Sequence, residues 1–256
     1  MINTIIHGCN GKMGRTLVSS VEENADFQIV AGVDSVLDVK PELGFPVYAS
    51  LAEVKEQADV VIDFSVAAAV DGMLDAAVEK GLAVVVATTG LSEAQFEHLR
   101  ECSGRIPIFQ AANMSLGVNL LKELIRQAAA LLGTAFDMEI IEKHHNTKRD
   151  SPSGTALALA DTLREASGRP MEYVHGREEK NKLRGKEEIG IHAVRGGNIV
   201  GEHDVLFAGQ DERLTLSHAA YSKALFATGA IKAAAFVAGK NPGYYHMEEM
   251  IAESIG

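Results

Sequence analysis

A chain of 256 residues, 46% hydrophobic and 23% charged, has length for one large or two moderate globular domains with ample core. Its net charge of −11 argues against a nucleic-acid groove or an anionic membrane surface as partner, so an anionic ligand must be met by a local cluster of positive groups. Two cysteines, Cys9 and Cys102, make no disulfide framework and suit a reducing cytoplasm, and without CxxC or HExxH spacing no metal site is expected. Glycines come too early for the apolar region of a signal peptide, and no apolar run reaches membrane-span length, so a cytoplasmic location is expected.

The segment "NTIIHGCNGKMGRTLVSSVEEN" reads as a short apolar strand, a glycine-rich turn and a helix. "FQIVAGVDS" is a second strand ending in an acid. Further strands are expected at "DVVIDFS", "LAVVVATTG" and "IPIFQAANMS", separated by helices such as "VAAAVDGMLDAAVEKG" and "SEAQFEHLREC". Buried strands alternating with amphipathic helices predict an α/β fold with a parallel sheet covered on both faces.

Gly8, Gly11 and Gly14 form GxxGxxG, with Asn10 at the position of the central glycine in the commoner GxGxxG. The turn follows a strand and opens a helix, and Asp34 ends the second strand. In that setting glycines let the backbone approach a pyrophosphate at the helix N-terminus, and the acid accepts hydrogen bonds from ribose hydroxyls. Lys12, Arg15 and Lys40 are the cations that would offset a 2′-phosphate near Asp34. Other strands end in Ser65, Thr88, Thr89, Gly90 and Asn113, where the ligand crevice of an open parallel sheet lies.

The pattern changes after residue 115. "VNLLKELIRQAAALL" is a helix with a broad apolar face, and "FDMEIIEKHH" reads as a strand with Phe136, Met138 and Ile140 on one side and Asp137 and Glu139 on the other. A polar stretch follows, then the helix "GTALALADTLREAS". The charge-dense "GREEKNKLRGKEE" is expected to be a mobile surface loop. "IGIHAVRGG", "NIVGEHDVLFAG" and "ERLTLSHAAYS" are strand-like runs that suggest an antiparallel or mixed sheet, and "KALFATGAIKAAAFVAG" is a helix returning to the first domain. The expected domains are residues 1–115, completed by 219–256, and residues 116–218.

The polar stretch "IEKHHNTKRDSPSGTAL" holds the most specific chemistry. Pro152 suits the first turn of the helix that follows, with Ser151 or Ser153 near its cap. The N–H groups of Ser153, Gly154 and Thr155 would then point outward at a positive helix end, a ready carboxylate or phosphate site. Residues 144–150 are expected to form a loop that aims His144, His145 and Lys148 at the same place. A dianion with two separated carboxylates would bridge the helix end and the basic side chains.

"GCNGKMG", "EKHHNTKRDSPSGTA" and "VRGGNIVGEH", in this order, closely resemble the 4-hydroxy-tetrahydrodipicolinate reductase (dihydrodipicolinate reductase) family, and the likeness runs over essentially the whole chain. The resemblance implies a Rossmann-type doubly wound parallel sheet, a second α+β substrate and oligomerisation domain of mixed sheet, and reduction of a cyclic dicarboxylate by NADH and/or NADPH in lysine and diaminopimelate biosynthesis. It makes His144 the proton donor and Lys148 a second catalytic group, with His145, Ser153, Gly154, Thr155 and Thr89 at the substrate. Gly8, Cys9, Asn10, Gly11, Lys12, Met13, Asp34, Ala87, Thr88, Thr89, Ala111, Ala112, Asn113 and Met114 match cofactor contacts. The family's typical homotetramer, assembled through the sheet of the substrate domain, is implied as well. The chain departs from the familiar pattern at Ala87 (commonly Gly), Lys12 (commonly Arg) and Asp34 (familiarly Glu), and Ser35 follows where an arginine would receive a 2′-phosphate. NADH and NADPH therefore both stay open. Another two-domain nicotinamide reductase of an amino-acid-derived acid, and a non-catalytic dinucleotide sensor, are the competing readings.

Overall fold

The computed structural model describes residues 1–37, 43–178 and 181–255. Lys40 lies outside them. The chain forms two compact units, Met1–Leu116 with Lys223–Gly256, and Gly117–Ser222.

In chain order the first unit contains β1 (Ile2–His7), α1 (Lys12–Glu22), β2 (Phe27–Val33), β3 (Val47–Tyr48), β4 (Val60–Asp63), α2 (Ala67–Lys80), β5 (Ala83–Val86), α3 (Glu93–Ser103) and β6 (Pro107–Gln110). Then come α4 (Leu116–Leu132), β7 (Asp137–His144), α5 (Gly154–Ser167), β8 (Glu172–His175), β9 (Glu188–Arg195), β10 (Gly201–Ala208) and β11 (Arg213–Ala220). Returning to the first unit, the chain adds α6 (Ala224–Val237), β12 (Gly243–Tyr245) and α7 (Met247–Ile255). The short strands β3, β8 and β12 and the helix α7 go beyond the elements expected from sequence.

The first sheet has the order β12-β6-β5-β4-β1-β2-β3, and every pairing in it is parallel. Its central strands are continuous apolar runs because both faces are covered: Ile6, Ile62 and Val85 pack under α1 and α6, while Ile5, Val61 and Val84 pack under α2 and α3. Leu74 of α2 is fully buried there, and truncating it to alanine costs about 2–5 kcal/mol. The strand order reverses at β1, between β2 and β4, which puts the topological switch point beside the β1–α1 turn.

The second sheet has the order β11-β10-β7-β9-β8. β7 pairs antiparallel with β10 and parallel with β9, so the sheet is mixed. One face is covered by α4 and α5, whose Leu121, Ile125, Leu159 and Leu163 meet Met138, Ile140, Val205 and Phe207. The charge-dense segment is tied down rather than loose in its described part. Arg184 donates to Glu139 (2.8 Å), Asp137 (2.9 Å) and the carbonyls of Met138 and Glu188, and Arg177 reaches Glu139 and Glu188.

Candidate active site

In the first unit, the β1–α1 turn is built for close backbone approach. Gly8 has φ +80°, and a Cβ there would fall 2.8 Å from the Phe64 carbonyl oxygen; a Cβ on Gly14 would collide with the Gly8 carbonyl. Gly11 caps α1 without a side-chain bond, which leaves the helix's positive end open to a ligand. Asn10 explains its own departure from glycine: its N–H donates to Asp34 Oδ2 (2.9 Å) and its Nδ2 to the Val36 carbonyl (2.6 Å). The turn is thereby fastened to the end of β2, and Arg15 donates to Asn10 Oδ1 (3.0 Å) at the same corner. Cys9 is fully buried against Gly32, so only its backbone is available to a ligand. Burial and the nearby Asp34 charge push its thiol up to about 11. Lys12 is exposed at the head of α1.

Beyond the strand ends lies a cleft of about 300 Å³ that draws together Met13, Ala87, Thr88, Thr89, Ala112 and Met114. Ser65, expected at the crevice as a strand end, faces it too, as do Phe64, Lys223 and Phe226, to which sequence reasoning gave no place in the site. Thr88 Oγ1 is buried with no hydrogen-bond partner among the described residues, an orphaned polar atom that fits a polar ligand. Asn113 accepts from the N–H of Ser115 (2.9 Å), and Ala111 bonds back to Val86, fixing the turn after β6.

In the second unit, the strand alternation that buries Met138 and Ile140 continues through Glu142 and His144. His144 is thus the last residue of β7, not part of a loop. Its Nδ1 lies 2.6 Å from Glu142 Oε2. Glu142 is fully buried and accepts two parallel bonds from Arg195, 2.8 Å to each oxygen, together with the Ser153 N–H (3.0 Å). Burial opposes ionising Glu142, but the bonds from Arg195, His144 and Ser153 outweigh it and hold its carboxyl below the ordinary range.

Ser153 caps α5, its Oγ accepting from Ala156 N–H (3.1 Å) and meeting His203 Nε2 (3.0 Å). Pro152 therefore precedes the cap and stands outside the helix; Ser153 takes the cap because its side chain reaches the third helical N–H. The Ser153 N–H also does not point outward, being taken by Glu142. Gly154 begins the helix, a Cβ on it would meet nothing within 4 Å, and Thr155 follows half-buried, so the space in front of the helix end at Gly154 is open.

The loop itself holds His145 and Lys148. His145 Nδ1 lies 2.7 Å from Thr147 Oγ1, the Lys148 N–H bonds the His145 carbonyl, and Lys148 Nζ pairs with the largely exposed Asp150 at 2.8 Å. Arg195 also donates to the Asp150 carbonyl (2.8 Å), so one guanidinium joins β9 to this loop. His203 is buried beside His144, the rings edge-on with centroids 5.3 Å apart; burial and the His144 charge push it down to about 4. Among the described residues no group of three His, Cys, Asp or Glu is placed to hold a metal ion.

Residues 2–114 match the family model described as dihydrodipicolinate reductase, N-terminus, and residues 117–251 match its C-terminus. The chain belongs to the dihydrodipicolinate reductase family. It is 53% identical over 251 residues to the 4-hydroxy-tetrahydrodipicolinate reductase of Caldanaerobacter subterraneus subsp. tengcongensis, covering 98% of each chain. With the enzyme of the same name from Clostridium tetani it shares 45% identity, over 98% of this chain and 97% of that one. A solved dipicolinate-bound dihydrodipicolinate reductase from Paenisporosarcina sp. TG-14 superposes with a TM-score of 0.79 at 27% identity, covering 96% of this chain and 97% of that one.

The residues of the second unit missed from sequence, Glu142, Arg195 and His203, had two signals. Glu142 shares the parity of Met138 and Ile140, and Arg195 and His203 stand second and last in the quoted "VRGGNIVGEH".

Proposed function

We propose that the protein reduces 4-hydroxy-tetrahydrodipicolinate to tetrahydrodipicolinate with loss of water, using NADH or NADPH, in lysine and diaminopimelate biosynthesis. Its family membership supports the reaction class. The observation that carries the reading is that a glycine cradle with Asp34 at its edge and a carboxylate-held histidine beside an open helix end occur in one chain.

The first unit takes the dinucleotide through the backbone of Gly8 to Met13, with Asp34 at the ribose and Ala87, Thr88, Thr89 and Ala111–Met114 along the cleft. Bound reduced nicotinamide supplies a hydride to a ring carbon of the cyclic imine. The second unit takes the dicarboxylate: Gly154 and Thr155 receive one carboxylate at the helix end, Ser153 shapes that turn, and His145 and Lys148 meet the other polar groups. His144 delivers the proton that the developing negative charge on the conjugated system requires, since imidazole carries and releases protons near neutral pH. Lys148 exchanges Asp150 for a substrate carboxylate and stabilises the charge, or assists departure of the hydroxyl as water.

The same reading makes the protein a cytoplasmic homotetramer assembled through the second sheet. In support, the face away from α4 and α5 carries Ile141, Val194 and Leu206 beside the Lys143 pairs with Glu202 and Asp204. Among the described residues no helix is long and apolar enough to cross a membrane. Following nicotinamide oxidation with and without freshly generated substrate tests the reaction. Substrate-dependent oxidation supports it, and tight dinucleotide binding without turnover leaves a sensor instead.

A further inference from the structure

The second unit spends an unusual amount of polar structure on one buried carboxylate. Glu142 sits on the core face of β7, where the alternation calls for an apolar residue, and it is fully excluded from solvent. A carboxylate in that position is costly unless every lone pair is answered. Here each is: Oε2 meets His144 Nδ1 and one Arg195 nitrogen, and Oε1 takes the other Arg195 nitrogen and the Ser153 N–H. Packing alone would be served better by leucine. What the carboxylate does is join three separate pieces: the end of β7, the first residue of the α5 cap, and, through Arg195 and the Asp150 carbonyl, the loop that carries Lys148.

We infer that Glu142, clamped by Arg195, is the positioning residue of the proposed reduction, fixing the ring orientation and tautomer of His144 so that Nδ1 carries a hydrogen and Nε2 is the working nitrogen. The inference rests on the reading of His144 as proton donor.

Three observations decide the orientation. The Glu142 carboxylate has no proton to give, being held ionised by Arg195, so the 2.6 Å contact requires the hydrogen on His144 Nδ1. The register of β7 and β9 sets His144 opposite Arg195, so the clamp and the histidine rise together from adjacent strands. On the other side of the ring, a Cβ added to Gly201 would stand 3.1 Å from Nε2, so the glycine leaves that nitrogen room that a side chain would take. In the proton transfer the His144 Nε2–H bond breaks, the proton goes to substrate carbon, and the ring returns to the neutral form with Nδ1–H still bonded to Glu142. The carboxylate thereby holds one ring orientation before transfer and one tautomer after it, the role a buried aspartate plays beside a catalytic histidine in serine proteases.

Glu142→Gln removes the charge and offers Arg195 an amide it cannot pair with on both sides. Its kcat is expected to fall by roughly 10²-fold or more, as for loss of a general acid, while NADH affinity stays at the wild-type value. The double variant Glu142→Gln/His144→Gln should lose far less kcat than the product of the two single losses, because the carboxylate serves the proton transfer chiefly through the ring. A structural contribution would instead multiply with the loss at His144. The ¹⁵N spectrum of the imidazoles gives a second readout in the unmodified enzyme: neutral His144 should show Nδ1 protonated, and in Glu142→Gln the two tautomers should mix. If Glu142→Gln does not fold, Arg195→Gln carries the same kinetic test, since it frees Glu142 to swing. Wild-type kcat in the folded Glu142 or Arg195 variant beside a crippled His144→Gln, or a neutral His144 protonated at Nε2 in the wild type, overturns the inference and leaves the reaction standing. Wild-type kcat in His144→Gln overturns the reading beneath it.

Discussion

The backbone N–H of Asn10 donates to Asp34 Oδ2 at 2.9 Å, and the other oxygen of Asp34 takes the N–H of Val36 at 3.0 Å. A half-buried carboxylate is therefore held at the edge of the glycine cradle, with lone pairs remaining for ribose hydroxyls. A 2′-phosphate there meets like charge, a repulsion of about 4 kcal/mol at 4 Å for an effective dielectric near 20 and about 1 kcal/mol in water. The Arg15 guanidinium, bonded to Asn10 at the same corner, offsets part of it. NADH is expected to be used well and NADPH no better. Asp34→Ala should raise the NADPH-to-NADH ratio of kcat/KM by roughly tenfold, about 1.4 kcal/mol. A marked NADPH preference unchanged by that substitution contradicts this account of the corner.

The open space in front of Gly154 predicts a substrate defect without a cofactor defect. Gly154→Val places branched carbons where an anion approaches the helix end, and should raise the substrate KM at least about tenfold, the loss of one charge-assisted bond of about 1.5 kcal/mol or more. The Kd for NADH should stay put. A lowered NADH affinity with an unchanged substrate KM would mean that the two ligands have been assigned to the wrong units.

His203 makes a distinct contribution to stability against pH. Its folded pKa, pushed down to about 4 from 6.5, lies below the unfolded value, so the unfolded chain binds the extra proton in that window. Stability is full above about pH 6.5 and is lost on acidification at about 1.4 kcal/mol per pH unit, roughly 3 kcal/mol in all. Glu139 and Glu142, whose bonded carboxyls lie below the ordinary 4.5, add their losses only lower down. Denaturant unfolding from neutral pH to about pH 5 should slope in the wild type and become clearly shallower in His203→Asn, with His218, which burial also pushes down, keeping the remainder. Parallel slopes in the two proteins would exclude His203 as the source.

Both thiols should resist modification in the native state. Cys9 and Cys102 are buried, and burial raises both, Cys9 to about 11, so little thiolate forms near about pH 8. An aromatic disulfide reagent should titrate neither quickly until denaturant is added. Rapid reaction of one thiol in native protein would show that its segment opens.

Much of this was legible in the sequence because each signal was local. Apolar runs such as "AVVV" mark strands buried on both faces, and "GTALALADTLREAS" coincides with α5 from its first residue to its last. Val47–Tyr48 and Gly243–Tyr245 were missed because strands of two and three residues have no period to read. Pro152 was misplaced because proline is equally at home just before a cap, and what decides is the Ser153 hydroxyl reaching Ala156. Arg195 and His203 were quoted without a role because their partners, Glu142 and Ser153, lie some fifty residues away in the chain and are brought near only by the pairing of β7 with β9 and β10.

The most direct test of the central claim is the steady-state kcat of His144→Gln against wild type, read as substrate-dependent NADH oxidation, with Lys148→Ala alongside. Each single variant should lose about 10²–10⁴-fold in kcat, the worth of one acid–base group, and bind NADH as the wild type does. The pair together should lose less than the product of the single losses, because both serve one transition state. Near-wild-type turnover in His144→Gln would contradict the assignment of the proton to this histidine.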